Sequence, residues 1–487
     1  MRKPILIACW IAVTVVGVFL RFDDLSRRPF HADEATGARI TAQRMEVKGY
    51  VFDPLHYHGP TLSMAGMLSA GLHGMYRWSE LEKGALRLVP ALAGCLLVLV
   101  PLAGRRRFGD GPMLAAALAL ATSPLLVYYS RMYIHEMLLA LFGVLALFQF
   151  ASAKRWWPAG IWIGLMFATK ETFAISMMAW LGAGGVLYGI ALVRKEAPNP
   201  PELFKTQLRP ALLAAGLALL TSLYFYTNGF IYWQGAVDAV RTYFVYEVVE
   251  GHDKPIGYYA GFLTSTVSVL ALGALAGSLF CRSMAGSVRL AIQFLALSAV
   301  FHFLIYSLIA YKTPWLMVLP LAHVCLLAGF VFALPFKRRL PWAGVAVAVA
   351  ICLTLQFLES RRVTGRIASD DRNRYAYVPT SEDIESLGPW LASLDEALPE
   401  RSLEPIAVIG SDYWPLPWYL RHYDKVGYWS EAPDSLERLP IVFATIDLTE
   451  VLIESHVPVP RGLRTDTPVT VWVRTDFWDA SLESPSR

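Results

Sequence analysis

Eleven apolar stretches dominate the chain as far as residue 358, at about 4–20, 84–103, 110–130, 136–153, 156–170, 172–193, 210–227, 258–280, 290–310, 314–334 and 341–358. Most approach the roughly 20 residues that a helix needs to cross the hydrocarbon core of a bilayer. The pattern predicts a mainly α, polytopic membrane protein with about 11 transmembrane helices. The segment 156–193 is the tightest, because it must cross twice and turn within roughly 38 residues, near the lower limit of span length. Its turn is Thr169-Lys170-Glu171-Thr172, which puts Lys170 and Glu171 at or below the interface.

Three polar regions interrupt or follow this pattern. Residues 21–83 form an external loop that holds a moderately apolar helix at about 61–76. Its Ser63, Ser69 and His73 suit it to lie along the interface. Residues 228–257 are aromatic and mixed in charge, and end in His252-Asp253-Lys254-Pro255. After Glu359 the chain becomes charged and proline-containing, which predicts a small α/β extracytoplasmic domain over 359–487 beside a membrane domain over 1–358. Thr380 and Asp383 suggest a capping-box start for a helix to about Ala397. Residues 406–409, 441–444 and 469–473 read as buried strands. The loop Asp412-Tyr413-Trp414-Pro415 after the first of them suits packing better than sugar stacking.

Charge fixes the expected orientation. Arg105-Arg106-Arg107, Lys154-Arg155, Arg194-Lys195, Lys205 with Arg209, Arg282 with Arg289, and Lys337-Arg338-Arg339 all fall in connections on one side. Basic residues stay cytoplasmic, so Asp33, Glu34, Asp53 and Glu247 fall outside, and so does the C-terminal domain. The localisation this predicts is the cytoplasmic (inner) membrane. Met1-Arg2-Lys3 precedes a first span without a small-x-small end, the pattern of an uncleaved signal-anchor.

Composition narrows the class further. The 487 residues are 55% hydrophobic and only 17% charged, against about 25% charged in soluble domains. The net charge of +4 therefore reports topology rather than a nucleic-acid partner. A P-loop, a dinucleotide turn and a CxxC pair are all missing from the sequence. The five cysteines lie in apolar segments, where they act as small hydrophobes.

The candidate chemistry sits on the outer side. His31-Ala32-Asp33-Glu34-Ala35 puts two acids against the bilayer roughly a dozen residues past the first span, an expensive placement that marks a functional candidate. The same surface gathers His56, His58, Arg131, His135, Glu136, Lys170, Glu171, Lys254 and Lys312. If the chain is helical from Arg131, that residue and His135 share a face. His135-Glu136 lacks a second histidine four residues after the first, so it is no zincin motif. A glycosidase needs two carboxylates because its leaving alcohol must be protonated. A phosphate leaves as an anion, so one carboxylate suffices as base and cations stabilise the leaving group. Structural ion pairs between packed spans are the competing reading of each pair taken singly.

Taken in order, these residues resemble the GT-C superfamily of membrane glycosyltransferases. Its relatives include the protein O-mannosyltransferases and the lipid A aminoarabinose transferases. The matching features run over about residues 1–335: Asp33-Glu34, Gly59-Pro60, Arg87-Leu88-Val89-Pro90, Ser130-Arg131 with Glu136, Thr169-Lys170, and Lys312-Thr313-Pro314-Trp315. His31-Ala32-Asp33-Glu34-Ala35, Tyr57-His58-Gly59-Pro60 and Tyr311-Lys312-Thr313-Pro314-Trp315 are most similar to a flippase-activity-associated subgroup.

The resemblance implies an inverting transferase that moves a sugar from a polyprenyl-phosphate donor to a hydroxyl on a protein, lipid or glycan acceptor. It implies Asp33 as general base, Glu136 as second acid and Glu34 as a further catalytic candidate. Arg131, Lys170, Lys312 and His58 would hold the donor phosphate, with His31, His135 and Glu171 nearby. A divalent metal (Zn, Mg or Mn) on His58, Glu34 and Glu136 is compatible with the variable metal use of the superfamily. The aminoarabinose transferases carry Lys-Pro-Pro where this chain has His58-Gly59-Pro60, and Asp where it has Glu136. The alternative is a non-catalytic lipid-linked-sugar flippase, a flippase accessory or a polysaccharide-assembly protein. The sequence shows no internal repeat of the transporter kind, which favours the enzyme.

Overall fold

A computed structural model describes residues 3–46, 51–152, 155–197, 199–245, 252–264, 266–280, 284–334 and 339–483. Lys154, Glu247, Cys281, Arg282, Lys337 and Arg338 lie outside the described residues. Every apolar stretch is helical. The first is α1 (Lys3–Phe22), and the external loop holds α2 (Ala32–Glu46) and α3 (Thr61–Leu72). There follow α4 (Lys83–Leu99), α5 (Pro101–Phe108), α6 (Asp110–Thr122), α7 (Pro124–Tyr129) and α8 (Glu136–Ser152). The tight hairpin is α9 (Ala159–Phe167) and α10 (Phe173–Val193), followed by α11 (Pro200–Tyr226) and α12 (Gln234–Val245). The remaining apolar helices are α13 (Ala260–Leu263), α14 (Thr266–Phe280), α15 (Gly286–Leu308), α16 (Val318–Gly329) and α17 (Arg339–Thr364).

Among the described residues, seven helices are long and apolar enough to cross a membrane. Three further expected spans are the shorter apolar helices 110–122, 136–151 and 267–280. The expected span 156–170 contains the 9-residue α9, because the hairpin leaves no room for more. At the centre stands α16, every residue of which is buried, packed by α6, α8, α14 and α15. By contrast α3 keeps Leu68 and Leu72 outward, 65% and 79% exposed, as an interfacial helix does.

The last apolar helix does not stop where the apolar run stops. It continues through Glu359 and Arg362 to Thr364, because Ser360 donates to the Thr122 carbonyl at 2.7 Å and keeps that turn docked. Beyond it lies the mixed sheet, in the order β2-β1-β3-β5-β4. The strands are β1 (Ile406–Ile409), β2 (Val426–Trp429), β3 (Ile441–Ala444), β4 (His456–Arg464) and β5 (Thr467–Arg474). Both β2 and β3 run parallel to β1, while β5 is antiparallel to β3 and β4. The three expected strands are β1, β3 and most of β5. The pattern did not reveal β2 or β4 because both are edges: β2 is partly exposed, and β4 carries Pro458 and Pro460, which edges tolerate.

The helix start near Thr380 differs from expectation. Ser381, not Thr380, accepts from the Asp383 N–H, at 3.3 Å. The Thr380 hydroxyl instead donates to the Phe30 carbonyl at 3.0 Å. Phe30 donates its N–H to Tyr419 Oη at 3.0 Å and stacks on Trp418 with ring centroids 4.1 Å apart. The C-terminal domain thus clamps the first external loop against the helices.

Candidate functional site

The first loop owes its shape to one arginine. Arg87, near the start of α4 and fully buried, uses all five guanidinium donors. They go to Glu34 Oε1 and Oε2 at 2.7 and 2.8 Å, and to the Leu25, Arg28 and Pro29 carbonyls at 3.1, 2.9 and 3.1 Å. Glu34 accepts three further hydrogen bonds, from the Tyr133 N–H at 2.8 Å, the His31 N–H at 3.1 Å and Arg28 at 3.3 Å. Burial pushes its pKa up, but Arg87 and Arg28 outweigh burial and bring it down to about 2. An acid so occupied anchors the loop. In this structure Glu34, expected as a further catalytic candidate, is fully buried and its carboxylate is taken up by the loop.

Its neighbour points the other way. The Asp33 side chain is 51% exposed, in the first turn of α2, where the helix dipole favours a negative charge. The Asp33 N–H donates to His31 Nδ1 at 3.1 Å, which leaves the ring proton on Nε2 to be donated to the Tyr377 carbonyl at 2.9 Å. Asp33 acts electrostatically on His252, Tyr311 and Tyr377. Those rings form a wall. His252 lies 5.0 Å from Tyr311 and 5.4 Å from Tyr377, and Trp315 lies 5.5 Å from Tyr377. His252 Nδ1 and Tyr377 Oη share a 2.6 Å hydrogen bond. The Tyr311 phenol is raised by burial, then by Asp33 and by Glu136, so both acids lie within electrostatic reach of one ring.

The second cluster stands on the hairpin tip. Glu136 opens α8, where its charge also meets a helix N-terminus, and it forms a buried ion pair with Lys170. Beside it His58 Nδ1 and Glu171 Oε2 are 2.8 Å apart, and the His58 and His135 rings are 5.1 Å apart. Glu171 is pushed up by burial, but His58 takes it below the ordinary carboxylate range. The other Glu171 oxygen is buried with no hydrogen-bond partner among the described residues. Burial, then His58 and Lys170, push His135 well below its ordinary value, so it is a neutral donor to the Gly59 carbonyl at 3.2 Å. Gly59 is required here because a Cβ on it would lie 2.2 Å from the Ala168 carbonyl oxygen. The close approach lets Thr61 donate its N–H to Ala168 O at 3.2 Å and its hydroxyl to Thr169 Oγ1 at 2.8 Å.

Two expected phosphate ligands are engaged elsewhere. Arg131 donates to the Leu20 and Asp24 carbonyls at 3.0 and 2.9 Å, capping the end of α1. Lys312 is buried and donates to the carbonyls of Lys254 at 3.0 Å, Ala310 at 3.5 Å and Ile309. The expected Arg131–His135 helix face is overturned as well, since α7 ends at Tyr129 and α8 starts at Glu136. Glu34 takes the Tyr133 N–H that such a helix needs.

The suggested metal set is not brought together either. Glu34 is held by Arg87, Glu136 by Lys170 and His58 by Glu171. Among the described residues no group of three or more His, Cys, Asp or Glu is placed to hold a metal ion. Sequence reasoning missed Arg87 as the organiser of the loop and missed His252 and Tyr377 as walls of the site. Tyr377 lies in a polar linker with no motif around it, and only contacts across 62 to 346 residues, to Trp315, His252 and His31, reveal it.

Residues 77–195 match the family described as dolichyl-phosphate-mannose-protein mannosyltransferase. No curated protein sequence matches the chain. Among solved structures, ArnT from Cupriavidus metallidurans in the apo state is similar with TM-score 0.66 at 16% identity, over 98% of this chain and 99% of that one. The same protein bound to undecaprenyl phosphate gives TM-score 0.61 at 16% identity, over 96% and 98% of the two chains. The apo oligosaccharyltransferase of Archaeoglobus fulgidus gives TM-score 0.52 at 14% identity, over 89% of this chain and 65% of that one. The chain has the GT-C fold, a multi-pass membrane domain followed by a small C-terminal sheet domain.

Proposed function

We propose that the protein is an inverting membrane glycosyltransferase, carrying a sugar from a polyprenyl-phosphate donor to a hydroxyl acceptor on the outer face of the cytoplasmic membrane. One observation carries the reading. Of the adjacent acids, Glu34 is sealed in a bonded network while the Asp33 side chain is half exposed, and Tyr311 lies within electrostatic reach of both Asp33 and Glu136, the acid that pairs with the buried Lys170. One accessible base beside cations is what phosphate departure requires. The match to the mannosyltransferase family over 77–195 and the likeness to a protein solved with undecaprenyl phosphate support the donor class.

In this reading the Asp33 carboxylate takes the proton of the acceptor hydroxyl, whose oxygen bonds to the anomeric carbon from the face opposite the phosphate. The bond from that carbon to the phosphate oxygen breaks, and its electron pair leaves on the phosphate. Lys170, held by Glu136, supplies positive charge to that oxygen, with His58 next to it. Arg131 and Lys312 are engaged with backbone carbonyls, so the reading assigns the donor phosphate to Lys170 and His58. The test is incubation of the purified full chain with radiolabelled polyprenyl-phosphate sugars and hydroxyl acceptors. Labelled product with wild type and none with Asp33→Asn supports the reading, and lipid movement without product overturns it.

A further inference from the structure

A cavity of about 570 Å³ lies far from these residues. Its wall includes Phe108, Phe148, Leu187, Phe294 and Phe330. Three helices place it at the end of the bundle opposite the acids. On α8 the site residue Glu136 is the first residue and Phe150 lines the cavity, about 21 Å along the axis at 1.5 Å per residue. On α10 the hairpin tip precedes Phe173, and the cavity meets Gly184 and Ala191. On α15 the cavity meets Ser287 to Leu295, while the site lies beyond Leu308.

Of the 18 lining residues only Arg107, Tyr188 and Ser287 are polar. Water needs two to four polar partners and is not held in such a space, and an empty void forfeits the dispersion contacts of its lining. The volume falls within the range of about 300–1,000 Å³ typical of small-ligand sites. At membrane depth the abundant apolar ligand is a lipid chain. The mouth carries Arg107, an exposed side chain that follows Arg105 and Arg106 at the end of α5. A guanidinium there matches a lipid phosphate in charge and geometry.

We infer that this cavity is a binding site for one acyl chain of an anionic phospholipid from the leaflet opposite the active site, with Arg107 on its phosphate. Gly184 provides the test, because a Cβ at that position meets nothing within 4 Å. A larger side chain there grows into the cavity and not into the protein.

The experiment uses the delipidated full chain in mild detergent, offered phosphatidylglycerol or phosphatidylcholine of identical chains and read by native mass spectrometry. Wild type and Gly184→Ala are expected to retain one phosphatidylglycerol, about fivefold over phosphatidylcholine, the preference that one basic side chain gives near a lipid phosphate. Gly184→Phe is expected to lose both lipids. Arg107→Gln is expected to keep binding and lose the preference. Retention by Gly184→Phe equal to wild type, or equal retention of the two lipids by wild type, overturns the site. Should Gly184→Phe fail to unfold at the temperature of Gly184→Ala, Ala191→Phe fills the same cavity from the next turns of α10 and decides the matter. None of these readings depends on glycosyl transfer.

Discussion

Arg87 binds both carboxylate oxygens of Glu34, at 2.7 and 2.8 Å, with both side chains fully buried. This pair fixes the backbone from Leu25 to Glu34 and so decides where Asp33 points. The two adjacent acids therefore divide the work: one holds the loop and the other meets the solvent.

Asp33→Asn keeps the shape and removes the base. Transfer is expected to fall by about 10²–10⁴-fold, the usual contribution of a positioned base. Membrane insertion and the unfolding temperature should match wild type. Full transfer activity in the variant would refute the assignment.

Arg87→Met leaves the buried Glu34 carboxylate with Arg28 alone as cationic partner, at 3.3 Å, which destabilises by about 3 kcal/mol, the low end for breaking a buried pair. The variant should therefore fold poorly or not at all. Adding Glu34→Gln should recover part of the loss, because it removes the stranded charge. Thermal unfolding of the single and double variants measures the coupling.

The same acid gives stability a pH dependence. Its folded pKa of about 2 lies below its ordinary 4.5, so its contribution is complete above the ordinary value and is lost as pH falls from there through about 2. Near neutral pH that contribution is about 3 kcal/mol by linkage. Stability curves between pH 7 and pH 3 should fall in wild type and be flatter in Glu34→Gln.

Lys170→Met removes the cation and strands Glu136, which is only 4% exposed. Transfer should fall by about 10²-fold or more, the scale of losing one group that stabilises developing charge. Charge reversal of the pair, Glu136→Lys with Lys170→Glu, should restore folding but not transfer. Equal activity in the reversed pair would show the two groups to be structural only.

Gly59→Ala drives a Cβ to 2.2 Å from the Ala168 carbonyl oxygen and 2.8 Å from the Thr169 nitrogen, both backbone atoms that cannot swing aside. The loss should be about 1–3 kcal/mol, with the Thr61–Thr169 contact broken and transfer reduced. Comparing Gly59→Ala with Gly71→Ala, where a Cβ meets nothing within 4 Å, separates the close approach from loss of a glycine as such.

By itself the sequence determined the succession of apolar helices, the C-terminal segment with β1 and β3, and the candidacy of His58, Glu136, Lys170 and Glu171, which the fold joins in two ion pairs. Such features follow from local periodicity, span length and charge placement. Tertiary structure alone decided which acid of the pair is accessible, because that turns on Arg87, 53 residues away from Glu34. It likewise set Arg131 and Lys312 on carbonyls, broke the helix expected after Arg131, and brought Tyr377 across to His31 and His252. A charged side chain in a membrane protein is placed by whichever buried partner satisfies it, and that partner is set by packing between distant helices, which no local pattern encodes.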